Sequence, residues 1–200
     1  ILSSGIGNVS AKGMAPKATA HTFDFGNDFS EMTGLVSGLG SELVLSNHSY
    51  GLITGWRFDN GWTWFGNQNI STQEDYRFGF YSAAAASWDQ LSYSSPNYLI
   101  VKSAGNDRSD TGNNPAFPAD CNGGTGYDCI SDVSTAKNIL TVGAVGKISN
   151  YTGPESVGMS TFSGWGPTDD GRIKPDLVAA GVNLFSTSTN NAYTTLSGTS

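Results

Sequence analysis

Two hundred residues are enough for one domain with a sizeable buried core, and 26 glycines, nearly twice the usual share of roughly 7%, call for many tight turns and close backbone approaches. The formal net charge of -7 argues against nucleic acid and anionic membrane surfaces as partners. No apolar run approaches the roughly 18 residues that a membrane-spanning helix needs, so no membrane span is expected.

In chain order, residues 18–23 (ATAHTF) alternate and read as a strand, residues 28–39 as a short helix, and residues 42–47 (ELVLSN) as a second, mostly apolar strand. Residues 52–72 (LITGWRFDNGWTWFGNQNIST) break the rhythm. They hold Trp56, Trp62 and Trp64 with Phe58 and Phe65 and have no clear period, so they read as an ordered insertion packed on the domain body. Residues 74–94 suit a longer helix, with Phe78, Tyr81, Ala85, Trp88 and Leu91 on one face at three- and four-residue spacing. The runs 98–106 (YLIVKSAGN) and 138–146 (NILTVGAVG) are near-continuous and rich in Val, Ile and Leu, as strands buried on both faces of a parallel sheet are.

Between those runs, a loop over about 107–132 carries Cys121 and Cys129, eight positions apart among Gly and Asp. The pair suits a disulfide and an oxidising compartment, with two free thiols as the alternative. Metal ligation is disfavoured, because no His or third Cys is nearby. Residues 176–187 (DLVAAGVNLFST) read as a strand broken at Gly181, and the last residues, NNAYTTLSGTS, as a strand running into a tight turn. Strand, helix and strand in succession indicate an α/β domain with right-handed crossovers. Its active residues belong at the carboxyl ends of the strands, which directs attention to the loops after Asn47, Ser103 and Leu196.

Two residues in those loops have the chemistry of a hydrolytic site. Ser200 follows Gly198-Thr199 after a strand, the small-residue turn that exposes a nucleophilic hydroxyl, although such residues are also ordinary in turns. Asn106 closes SAGN after a buried strand, where its amide suits a developing oxyanion; a plain turn residue is the alternative.

Taken in order, GMAPKA (13–18), SNHSYG (46–51), VKSAGN (101–106), TVGAVG (141–146), STFSGWGP (160–167), KPDLVAAGV (174–182) and SGTS (197–200) resemble the second part of a subtilisin-like serine protease, a subtilase of peptidase family S8. The resemblance implies a three-layer α/β domain with a mostly parallel central sheet flanked by helices. Residues 1–200 would then be a single partial catalytic domain, with the 52–72 insertion and the cysteine loop as local departures. It implies Ser200 as nucleophile, and Asn106 with the Ser200 backbone N–H as the oxyanion hole. Ser49-Tyr50-Gly51 would pair with substrate backbone. Ser103-Ala104-Gly105 would wall the pocket for the residue before the scissile bond; being small and uncharged, this wall tolerates a bulky apolar side chain.

The Asp strand and His helix of the family are not among these residues. His21 and His48 suit structural positions better than that of a catalytic base. The expectation is therefore a central piece of a longer enzyme, nearly inactive by itself, because a serine without a base is a poor nucleophile. The full chain would be a secreted endopeptidase acting on protein or peptide substrates, with no required cofactor and room for a propeptide and accessory domains. Trp62 or Trp64 is expected to contact substrate, with ordinary packing as the alternative. Asp107, Asp110, Asp120, Asp128 and Asp132 are candidates for the structural Ca²⁺ that subtilases often bind, although no EF-hand spacing appears. The rival reading is a catalytically inactive subtilase-like domain used for binding or scaffolding; the retention of both Asn106 and SGTS argues against it. An α/β-hydrolase esterase would need Gly-x-Ser-x-Gly followed by Asp and His.

Overall fold

Four short strands of the computed structural model, which describes residues 1–38 and 44–200, form one all-parallel sheet in the order β1-β4-β5-β6. They are β1 (Val44–His48), β4 (Tyr98–Ser103), β5 (Leu140–Val145) and β6 (Leu177–Ala180). Val44 pairs with Tyr98 and His48 with Lys102. Ser103 pairs with Val142, and Val142 with Leu177. Two antiparallel hairpins stand apart from this sheet: β2 (Trp56–Phe58) with β3 (Trp62–Trp64), and β7 (Leu184–Thr187) with β8 (Tyr193–Leu196).

Helices α1 (Asp28–Gly38) and α2 (Ala83–Ser94) pack on one face of the parallel sheet. The core there joins Met32 of α1 and Ala85, Trp88 and Leu91 of α2 to Tyr98 and Ile100 of β4, with Val133, Ala136 and Ile139 from the chain leading into β5. Burying each large apolar side chain here contributes about 1.5–3 kcal/mol. The period of two along β4 sends Tyr98, Ile100 and Lys102 to this face and leaves Leu99, Val101 and Ser103 half-buried on the other. The parallel sheet and its helices match the expected α/β class; among the described residues both α-helices lie on the same face.

Two expectations are revised. Residues 18–23 form extended coil rather than a strand, and every one of their side chains is exposed. A short alternation makes a strand only where an edge accepts its backbone bonds, and no sheet among the described residues includes it. The helix expected over 74–94 begins at residue 83, where the Ser82 hydroxyl caps it by accepting from the Ala85 N–H. The segment before it is committed elsewhere: Phe78 bridges to Ser131, and the Gly79 N–H donates to the Ile130 carbonyl. Residues 39–43, which include the end of the first expected helix and the start of the 42–47 strand, lie outside the described residues.

The 52–72 insertion is built on the β2–β3 hairpin, whose turn places Asn60 at φ +54. Cys121 and Cys129 are joined by a disulfide with their Cα atoms 4.7 Å apart. Cys121, Asn122 and Gly123 form a left-handed turn at φ between +53 and +65. The 176–187 segment breaks at Gly181, between β6 and β7. No helix among the described residues is long and apolar enough to cross a membrane.

Candidate active site

Parallel pairing puts the carboxyl ends of β1, β4 and β6 at one edge of the sheet, and each predicted site segment leaves from such an end. Ser49-Tyr50-Gly51 follows β1, and Ser103-Ala104-Gly105-Asn106 closes β4. Ser200 arrives by a longer route. After β6 the chain runs through the β7–β8 hairpin and turns back, and the Gly198 N–H donates to the Gly181 carbonyl at 2.9 Å. This bond seats the last turn against the end of β6.

Asn106 and the final turn meet directly. Asn106 Oδ1 accepts from the Thr199 backbone N–H at 2.9 Å and from Thr199 Oγ1 at 3.0 Å. With the oxygen so engaged, the amide is oriented and its Nδ2 donors remain for a ligand. Thr199 is buried, while Ser200 is exposed. Gly105 holds the loop at φ +96, and a β-carbon there would lie 3.1 Å from Asp107 Oδ2. Behind the loop, the Gly164 N–H donates to the Gly105 carbonyl at 3.0 Å. A side chain on Gly164 would strike the Ala104 carbonyl oxygen at 2.6 Å, which explains the glycine at this position.

A cleft of about 420 Å³ joins these parts. Ser49, Tyr50 and Gly51 line one side; Ser103, Ala104, Gly105 and Asn106 line another; Thr199 and Ser200 complete it. All eight residues predicted for catalysis and substrate binding thus face one space. Of the two tryptophans expected at the substrate, Trp62 lines the cleft. Trp64 instead stacks on Phe117 at 6.0 Å and meets Trp56 at a tilt, 5.4 Å between ring centres. His48 is a satisfied structural residue: it is buried, meets Trp88 edge to face, and bonds Tyr50 Oη at 2.8 Å and Ser46 Oγ at 2.9 Å. Burial pushes its imidazole below the usual range. His21 lies in the exposed coil.

The profile of peptidase S8, described as the subtilase family, matches residues 4–200. The chain belongs to the subtilase family. A 42-residue stretch is 55% identical to the C5a peptidase of Streptococcus pyogenes serotype M18 (strain MGAS8232), covering 21% of this chain and 4% of that protein. Another match is 50% identical over 42 residues to the PII-type proteinase of Lactococcus lactis subsp. cremoris, covering 21% of this chain and 2% of that protein. The matched stretch is thus a small fraction of these relatives' length. Among solved structures, the chain is similar to a cold adapted subtilisin-like serine proteinase at 18% identity and a TM-score of 0.45, over 86% of this chain and 41% of that one. It is similar to Sphericase at 19% identity and a TM-score of 0.46, over 86% of this chain and 42% of that one.

In this subtilase, three of the five carboxylates considered for Ca²⁺, Asp107, Asp110 and Asp120, lie close enough to repel one another. Asp107, Asp110 and Asp132 line the cleft. Asp120 is buried and accepts the Trp56 N–H with both oxygens, and Asp128 lies across Gly79 from Asp169. No group of three His, Cys, Asp or Glu among the described residues is arranged to hold a metal. Three residues with a place in the site were missed at the sequence level: Thr199, Lys102 and, in its cleft position, Asp132. Buried Lys102 donates to the Tyr50 carbonyl and so ties β4 to the Ser49-Tyr50-Gly51 segment. The signal for it was a lone cation inside an otherwise apolar strand.

Burial pushes Asp107 and Asp110 up to about 6, and Asp107 adds repulsion at Asp110. Burial pushes Asp120 up to about 9. The folded protein therefore holds protons that the unfolded chain releases near 3.8, so its stability falls as pH rises from about 4 through these higher values. The urea midpoint is expected to drop between about pH 4 and about pH 7, and Asp110→Asn, which cannot ionise, to drop less. Equal drops in the two proteins would contradict this assignment.

Proposed function

We propose that the full protein is a serine endopeptidase with Ser200 as its nucleophile. The observation that carries this reading is the bond from Thr199 to Asn106, which leaves the Asn106 amide donor free; a β-carbon on Gly198 would lie 3.6 Å from that Nδ2 and 3.8 Å from Ser200 Oγ. Ser200 Oγ attacks the peptide carbonyl, a His supplied by sequence outside these residues takes the hydroxyl proton, and an Asp orients that His. Asn106 Nδ2 and the Ser200 N–H bind the oxyanion. The carbon–nitrogen bond breaks, the amine leaves with the transferred proton, and water hydrolyses the acyl-serine. No cofactor takes part. The disulfide supports an oxidising, extracellular or cell-envelope setting.

The test uses the protein expressed from its complete reading frame. A fluorophosphonate probe followed by peptide mapping is expected to place the label on Ser200, with no label in Ser200→Ala. A folded, mature protein that takes no label would overturn the reading and favour an inactive, substrate-binding subtilase domain.

A further inference from the structure

The end of the cleft between its two walls is charged, unlike the walls themselves. A β-carbon on residue 51 would lie 3.4 Å from Asp132 Oδ2 and 3.5 Å from Lys102 Nζ, with no other non-neighbouring heavy atom within 4 Å. Because residue 51 is Gly, that volume is left to the cleft, flanked by one carboxylate and one ammonium. Neither group is fully used. Lys102 gives one of its three donors to the Tyr50 carbonyl. Asp132 Oδ2 receives a single long bond, from the Leu52 N–H at 3.4 Å. Ser131 and Ser134 extend the same polar end.

We propose that this space receives the side chain preceding the scissile bond and that Lys102 and Asp132 together select an uncharged amide, Gln or Asn. The proposal rests on the protease reading above. A charged side chain placed between the two groups meets one partner and one like charge at nearly equal distance. Its two Coulomb interactions largely cancel while it loses hydration. An alkyl side chain removes water from both ions and replaces none of it. A primary amide matches both at once, its oxygen accepting from the ammonium and its NH₂ donating to the carboxylate. The small uncharged wall at Ser103-Ala104-Gly105 therefore sets the width of the pocket, and the charged pair sets its chemistry.

The experiment compares fluorogenic peptides that differ only in the residue before the cleaved bond: Gln, Glu, Arg and Leu. The mature protein from the complete reading frame is expected to cleave the Gln peptide with kcat/KM at least about ten-fold above each of the others, since a site built to hydrogen-bond rejects analogues that leave its groups unpaired. Asp132→Asn is expected to move the preference toward Glu, and Lys102→Met toward Arg. Asp132→Asn changes no volume, so it serves even where Lys102→Met does not fold. Fastest cleavage of the Leu peptide, or an unchanged Gln-to-Glu ratio in Asp132→Asn, would overturn the inference while leaving the protease reading intact. A protein that neither takes the Ser200 label nor degrades denatured casein would overturn both.

Discussion

Asn106→Ala in the mature enzyme is expected to lower kcat by about 10²–10³ and to leave KM within a few-fold. The magnitude is carried over from a subtilase in which such a donor was removed; the direction follows from this geometry. A donor aimed where charge develops binds the transition state and not the ground state, so its loss appears in kcat. Both oxygen bonds of Asn106 go to Thr199, which leaves Nδ2 as its free donor in the cleft. Asn106→Asp is the sharper companion. It keeps an oxygen for Thr199 and replaces the donor with an acceptor, so it should lose at least as much activity with little change in Tm. A loss below about five-fold in both variants, measured on a peptide amide, would remove Asn106 from the oxyanion hole.

Trp56→Ala is expected to destabilise the protein by about 3–5 kcal/mol, the largest stability effect of any single truncation in the hairpin. Its side chain is 2% exposed. It meets Trp62, Trp64 and Phe117 within 6.4 Å between ring centres, and its Nε1 donates to the Pro118 carbonyl at 2.7 Å. Its backbone N–H is held by Asp120. Truncation would open a cavity and leave the half-buried Pro118 carbonyl without its donor at the same place. Trp62→Ala provides the contrast. Trp62 is half-buried and lines the cleft, so its loss should raise KM by about two- to ten-fold, the worth of about 0.5–1.5 kcal/mol of aromatic contact, and barely move the urea midpoint. Should Trp62→Ala lower stability as much as Trp56→Ala, the hairpin would be a structural unit without a part in substrate binding.

What could be read without coordinates depended on how local the determining interactions are. The runs around Ile100 and Val142 announced parallel strands because burial on a sheet requires an apolar side chain at nearly every position. Ser200 and Asn106 were legible from the order of motifs, and their shared place from the rule that parallel sheets gather strand ends. Residues 18–23 misled because alternation describes a strand's faces and says nothing about whether an edge will bond to it. Trp56 and Trp62 share one face of the hairpin, and what separates them is that Phe117, Pro118 and Asp120 of the cysteine loop close over Trp56, which identical side chains do not announce. Lys102 and Asp132 are 30 positions apart, and only the close approach at Gly51 makes them partners.

The parallel sheet has a consequence in time as well as in space. None of its neighbouring strands can be paired by a tight turn. Val44 meets Tyr98, Val101 meets Leu140, and Val142 meets Leu177, so dozens of residues must be looped out before any ladder forms. Loop closure costs entropy before contacts return it, and such topologies fold slowly. The same long-range pairing must be broken as a whole for the sheet to open, so the folded state is expected to be long-lived. On the protease function proposed above, slow unfolding would itself protect each molecule from being cut by its own copies.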